Sequence, residues 1–275
     1  MSALIDADRL TAELARSAPL LLDVRWTLAG PDLAGYRAGH LPGAVFCDLD
    51  ADLAGPPGAG GRHPLPAPEE LAESFRRLGV GPGTSVVVYD GGVAAAAARA
   101  WWCLRWLGHE DVRVLDGGLP AWVAAGGSLE SGEVSPDPAS TPLSPRAGAM
   151  PTVDADELLA GPPGVLLDAR AEERFRGESE PVDPVAGHIP GARSLATSRL
   201  LDGQGRYLPA AELRGLLAGV GADGDEPVAA YCGSGVTAAQ LVLAAHEAGV
   251  ESALYPGSWS HWITDTSRPV ATGPA

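Results

Sequence analysis

Cys232 is the residue whose surroundings promise chemistry. The chain holds only three cysteines, and this one lies in YCGSGVTAAQLVLAAHEAG, residues 231–249. There a short apolar run gives way to glycine, serine and threonine, and then to an apolar helical pattern. A tight loop between a strand and a helix lets several backbone N–H groups point at the sulfur. The helix N-terminus adds partial positive charge at the same place. Both effects favour a thiolate over a thiol and make the sulfur nucleophilic. Gly233, Ser234, Gly235, Val236 and Thr237 are therefore candidates for cradling the reacting group, with Gly233 and Gly235 letting the backbone curl. A buried cysteine that merely ends a core strand is the bland alternative, and this loop argues against it.

The elements that must position such a loop occur twice. The first copy runs LLDVRW (21–26), AGHLPGA (38–44), VVVYDGG (86–92) and VLDGGLPAW (114–122). The second runs LLDARA (166–171), AGHIPGA (186–192), VAAYCGSG (228–235) and LYPGSWSHW (254–262). Shared order and spacing point to a duplication. A Pro-, Ser- and Gly-rich stretch at 126–151 reads as the linker, giving domains 1–138 and 139–275. The runs VVVY and VAAY predict buried strands, and helical patterns follow at 94–107 and 237–248. Strands alternating with helices imply an α/β fold, each domain a parallel sheet flanked by helices on both faces. Ligands of such sheets sit beyond the carboxyl ends of the strands, which is where Cys232 falls. In the first copy Asp90 stands in the cysteine's place.

Composition narrows the partners. All 19 basic residues are arginine against 35 acidic ones, a net charge of −16. Such acidity repels nucleic acid, and the absence of lysine excludes lysine Schiff-base chemistry. No run approaches the roughly 18 apolar residues of a membrane span. The N-terminus lacks the basic and then apolar blocks of a secretory signal. An odd number of scattered cysteines implies free thiols and a reducing, cytoplasmic compartment. Dispersed histidines, no C-x-x-C and no phosphate-binding G-x-x-x-x-G-K-[ST] give no support for a metal or cofactor.

The paired GH[LI]PGA motifs, the tandem arrangement and CGSGVTA resemble the tandem-domain rhodanese-like sulfurtransferases, above all the 3-mercaptopyruvate and thiosulfate sulfurtransferases. The resemblance spans residues 10–262. It implies two rhodanese-like domains of which only the C-terminal one is catalytic, and a ping-pong reaction with sulfur carried as a Cys232 persulfide. A small anionic donor and a thiol acceptor, such as thioredoxin or a low-molecular-weight thiol, or cyanide would be the partners. Asp90 cannot accept a sulfane sulfur, which fits the asymmetry. A non-catalytic sulfur-carrier or binding module is the alternative that retention of the cysteine loop disfavours. A related phosphatase would need an arginine about six residues after the cysteine, and none is there.

By the same resemblance Arg174 binds the donor's anionic end, and a guanidinium suits bidentate capture of a carboxylate. Asp168 and Arg170 are expected to pair beside the sheet. Ser234 is expected to manage protons with a histidine and an acid, assigned to His40 and Asp32, while His188 keeps its own turn. Mercaptopyruvate enzymes of the animal type carry a second arginine after PEP, where this chain has Val182 and Asp183. Thiosulfate-preferring relatives carry basic residues after the cysteine, where this loop is neutral. The balance favours mercaptopyruvate as donor, with a thiosulfate-preferring enzyme as the alternative.

Overall fold

The computed structural model describes residues 2–146, 148–161 and 164–274. Two compact units emerge. The first comprises Met1–Gly55, Pro66–Met150 and Gly203–Arg206, and the second Pro56–Leu65, Pro151–Asp202 and Tyr207–Ala275. Each unit thus includes a short segment from the other half of the sequence.

The first unit contains β1 (Leu4–Ile5), β2 (Leu20–Asp23), β3 (Trp26–Thr27), β4 (Gly30–Pro31), β5 (Val45–Phe46), β6 (Val86–Tyr89) and β7 (Val112–Leu115). Five of these form a parallel sheet in the order β1-β7-β6-β2-β5, and β3 and β4 make a small antiparallel hairpin. In the second unit β8 (Val165–Asp168), β9 (Arg193–Ser194), β10 (Val228–Tyr231) and β11 (Ser252–Leu254) form a parallel sheet in the order β11-β10-β8-β9. Every residue of β6, β8 and β10 is buried. Strands covered on both faces are apolar throughout, which is why VVVY and VAAY do not alternate.

The strands before the two loops feed similar helices. Ala95–Trp106 follows β6 and Val236–Glu247 follows β10, within a residue of the pattern read from sequence. Both are buried nearly all round, so neither shows the polar face of a surface helix. Register fixes the chemistry-bearing ends. Tyr89 lies opposite Asp23, and Tyr231 lies opposite Asp168, so Cys232 leaves the sheet beside the carboxylate that ends β8. Among the described residues of 126–151 there is no helix or strand, and no described helix is long and apolar enough to cross a membrane.

Candidate active site

Cys232 is fixed by backbone before any side chain is considered. Its N–H donates to Ser258 Oγ at 3.1 Å, and its carbonyl accepts from the N–H of Trp259 at 2.9 Å. The carbonyl of Gly233 accepts from the N–H of Ser260 at 2.8 Å. The loop is thereby clamped to the start of the helix Ser258–Trp262, whose Trp259 and Trp262 fill the core of this unit. The sulfur itself accepts a hydrogen bond from the N–H of Gly235 at 3.1 Å. Gly235 has φ of +80°, and a Cβ there would lie 2.3 Å from the carbonyl oxygen of Pro256, so only glycine closes the turn.

A segment distant in sequence completes the loop's surroundings. Within Pro56–Leu65, Gly58 and Gly61 exchange backbone hydrogen bonds, and the N–H of Arg62 donates to Ser260 Oγ at 3.0 Å. These contacts bring His63 Nδ1 to 2.8 Å from Ser234 Oγ, a hydrogen bond to the loop that carries Cys232. Arg62 forms an ion pair with Asp183. Arg174, on the short helix Glu172–Arg176, is held through Nε and Nη2 by Glu180 at 3.0 and 2.7 Å, and through Nη2 by Asp183 at 3.1 Å. Burial alone would raise the Glu180 carboxyl. The Arg174 hydrogen bonds and the N–H groups of Asp183 and Val182 outweigh it and hold the carboxyl below its usual range.

Beneath this cluster Asp168 and Arg170 form the buried pair expected from sequence. Arg170 donates from its backbone N–H, Nε and Nη2 to the carboxylate, and its guanidinium lies 4.7 Å from the Trp259 ring centroid. Asp23 and Arg25 repeat the pair in the first unit.

The proposed proton partners of Ser234 are placed elsewhere. His40 is fully buried, bonds the carbonyl oxygen of Tyr36 through Nδ1 at 2.9 Å and stacks on the Tyr36 ring at 4.1 Å. His188 does the same in its own unit, bonding the carbonyl of Phe175 at 2.8 Å and stacking on its ring at 3.7 Å. The two GH[LI]PGA histidines therefore share one structural task. Asp32 accepts from the N–H of Gly35 at 2.8 Å and caps the helix Leu33–Ala38. The structure puts Cys232, Ser234 and Arg174 together, and it gives Ser234 the partner His63 in place of His40.

Comparison with known proteins gives the chain's family. The Rhodanese-like domain family matches residues 6–125 and 152–265, which include every strand of the two parallel sheets except β1. The chain belongs to the tandem-domain rhodanese-like sulfurtransferases. It is 49% identical to a probable 3-mercaptopyruvate sulfurtransferase of Pseudomonas aeruginosa over 98% of both chains. To a putative thiosulfate sulfurtransferase of Mycobacterium tuberculosis it is 47% identical over 99% of this chain and 98% of the relative. The crystal structure of the Escherichia coli 3-mercaptopyruvate enzyme matches with a TM-score of 0.82 at 32% identity, covering 94% of this chain and all of the other.

In this sulfurtransferase the first unit keeps the loop but fills it from within. The Asp90 carboxylate accepts from the N–H groups of Gly92, Ala94, Ala96 and Ala97 at 2.9–3.2 Å. Burial raises its pKa against those four donors. Ala94 sits at φ of +58°, a left-handed conformation that costs an L-residue roughly 1 kcal/mol and is held here by the carboxylate. Cys47 and Cys103 are both buried, and desolvation pushes both thiols up, more strongly at Cys47.

Sequence reasoning missed Arg62 and His63. The usable signal lay in the duplication: GAGGRHPLP at 58–66 corresponds to GQGRYLP at 203–209. The second copy has tyrosine where the first has His63.

Proposed function

We propose that this sulfurtransferase takes sulfur from 3-mercaptopyruvate onto Cys232 and hands it to a thiol acceptor or cyanide. The Cys232 thiolate attacks the donor sulfur. An S–S bond forms, the C–S bond breaks, and its electron pair leaves as the enolate of pyruvate, which takes a proton at carbon. A thiolate acceptor, a small thiol or thioredoxin, then attacks the outer sulfur and releases the Cys232 thiolate. The observation that carries the reading is the Ser234–His63 pair, whose serine lies in the same loop as a sulfur that already accepts an amide hydrogen bond. Ser234 relays the proton that the enolate requires, and His63 replaces it. Three free, buried cysteines are consistent with a reducing cytoplasm.

A second reading, with thiosulfate as the preferred donor, is favoured by the two guanidinium groups beside Gly233. Thiosulfate leaves as sulfite and needs no proton at carbon, so the donors respond differently to one substitution. Ser234→Ala is expected to lower kcat with mercaptopyruvate by about a hundredfold, the scale of positioned proton transfer, and to affect thiosulfate much less. Steady-state kinetics with both donors on one preparation checks this. Equal losses, or a wild type that has the higher kcat/KM with thiosulfate, would overturn mercaptopyruvate as the donor.

A further inference from the structure

The space over Gly233 is bounded by arginine on two sides. A Cβ built on Gly233 would lie 2.8 Å from Arg62 Nη2 and 3.7 and 3.9 Å from Arg174 Nη2 and Nη1. Arg174 cannot grip an anion with its full fork, because Glu180 occupies Nε and Nη2 and Asp183 also takes Nη2. Nη1 is the nitrogen of Arg174 that keeps no protein partner among the described residues. Arg62 spends its backbone N–H on Ser260 and Nη1 on Asp183, and its Nη2 has no protein partner among the described residues. Each guanidinium therefore has a terminal nitrogen to offer, Nη2 of Arg62 and Nη1 of Arg174, and both are close to Gly233.

Asp183 explains how two cations stay so close. Its Oδ1 accepts from Arg62 and its Oδ2 from Arg174 at 3.1 Å, and its side chain is 2% exposed. One carboxylate thus bridges both guanidiniums and offsets their repulsion. Arg170 adds no free charge, being bound to Asp168 and to Glu180. Arg62, Arg170 and Arg174 stand against Asp168, Glu180 and Asp183, a balanced cluster in which an anion gains from directed N–H groups more than from surplus charge.

We propose that Arg62 is a donor-binding residue, sharing the donor's anionic group with Arg174, one oxygen to each guanidinium, above Gly233. This rests on the reading of Cys232 as the sulfur carrier. A carboxylate or a sulfonate presents two oxygens at a spacing that suits a bridge, so mercaptopyruvate and thiosulfate both use it. Asp183 is the positioning residue that keeps the bridge assembled between turnovers.

The test compares wild type, Arg62→Ala, Arg62→Gln and Arg62→Lys, with pyruvate as an unreactive carboxylate probe. KM for each donor and the competitive inhibition constant of pyruvate are expected to rise about tenfold to a hundredfold in Arg62→Ala and Arg62→Gln, the range of a charge-assisted contact. kcat should change by less than about threefold, and Arg62→Lys should recover part of the loss. If only the mercaptopyruvate KM moves, the carboxylate alone uses the bridge and thiosulfate is seated otherwise, which overturns the shared role. Unchanged constants in stably folded Arg62→Ala or Arg62→Gln overturn the proposal. A fall in kcat and melting temperature with no change in the pyruvate constant does so too, since it marks a structural role. Failure of the Cys232 reading looks different: wild type itself would gain no sulfur mass from donor.

Discussion

Cys232→Ser is expected to abolish turnover with every donor, lowering activity at least about a thousandfold, as loss of an activated nucleophile does. A serine hydroxyl held by the same Gly235 N–H can neither attack a sulfur nor store one as a persulfide. Intact-mass measurement after exposure to donor alone should show a gain of about 32 Da, one sulfur atom, on wild type and none on the variant. Cys47→Ala and Cys103→Ala should retain most activity. Both thiols are buried, and desolvation keeps them protonated, without an amide cradle. Continued product formation by Cys232→Ser, or a sulfur gain that follows Cys47 or Cys103, would refute this assignment.

The second large effect is on stability. Asp168→Ala should destabilise the second unit by about 3–5 kcal/mol, because it takes the bidentate carboxylate from the buried Arg170 guanidinium and leaves it the single longer ion pair with Glu180. Both side chains are essentially unexposed, at 0% and 1%. Desolvation alone would depress Arg170, and the Asp168 charge reverses that and raises its pKa. A fall in melting temperature of roughly 10 °C or more is expected in the transition of this unit. Replacing Asp168 and Arg170 together by apolar residues of similar volume should cost less than either single loss. Asp168→Ala within about 1 kcal/mol of wild type by denaturant unfolding would show that the pair contributes little.

Much of this architecture could be read from residues because duplication printed it twice. VVVY and VAAY, LLDVR and LLDAR each end a buried strand in an equivalent place, and their registers coincide. The Cys232 loop was legible because glycine and a helix start leave a local mark. Repetition also misled. GHLPGA and GHIPGA drew attention to His40, yet each motif histidine is consumed by an aromatic ring and a backbone carbonyl. His63 leaves no periodic trace, since it stands in an irregular Gly- and Pro-rich segment. Its position is set by a hydrogen bond between Arg62 and Ser260, residues 198 apart in the chain. Arg174 was legible as a cation. Its engagement by Glu180 and Asp183 was not, because that depends on how residues 178–184 fold back.

The exchange of short segments between units has a consequence for how this protein could have changed over time. Pro56–Leu65 belongs physically with the Cys232 unit, and Gly203–Arg206 belongs with the Asp90 unit. Each copy therefore contributes a segment to the other's compact unit, at corresponding points of the repeat. In the first copy Asp90 satisfies its own loop, yet that copy still supplies residues to the Cys232 unit. A truncated descendant keeping only residues 151–275 would retain the nucleophile and forfeit both Arg62 and His63. The surroundings of Cys232 thus depend on an arm encoded in the half whose own loop holds Asp90.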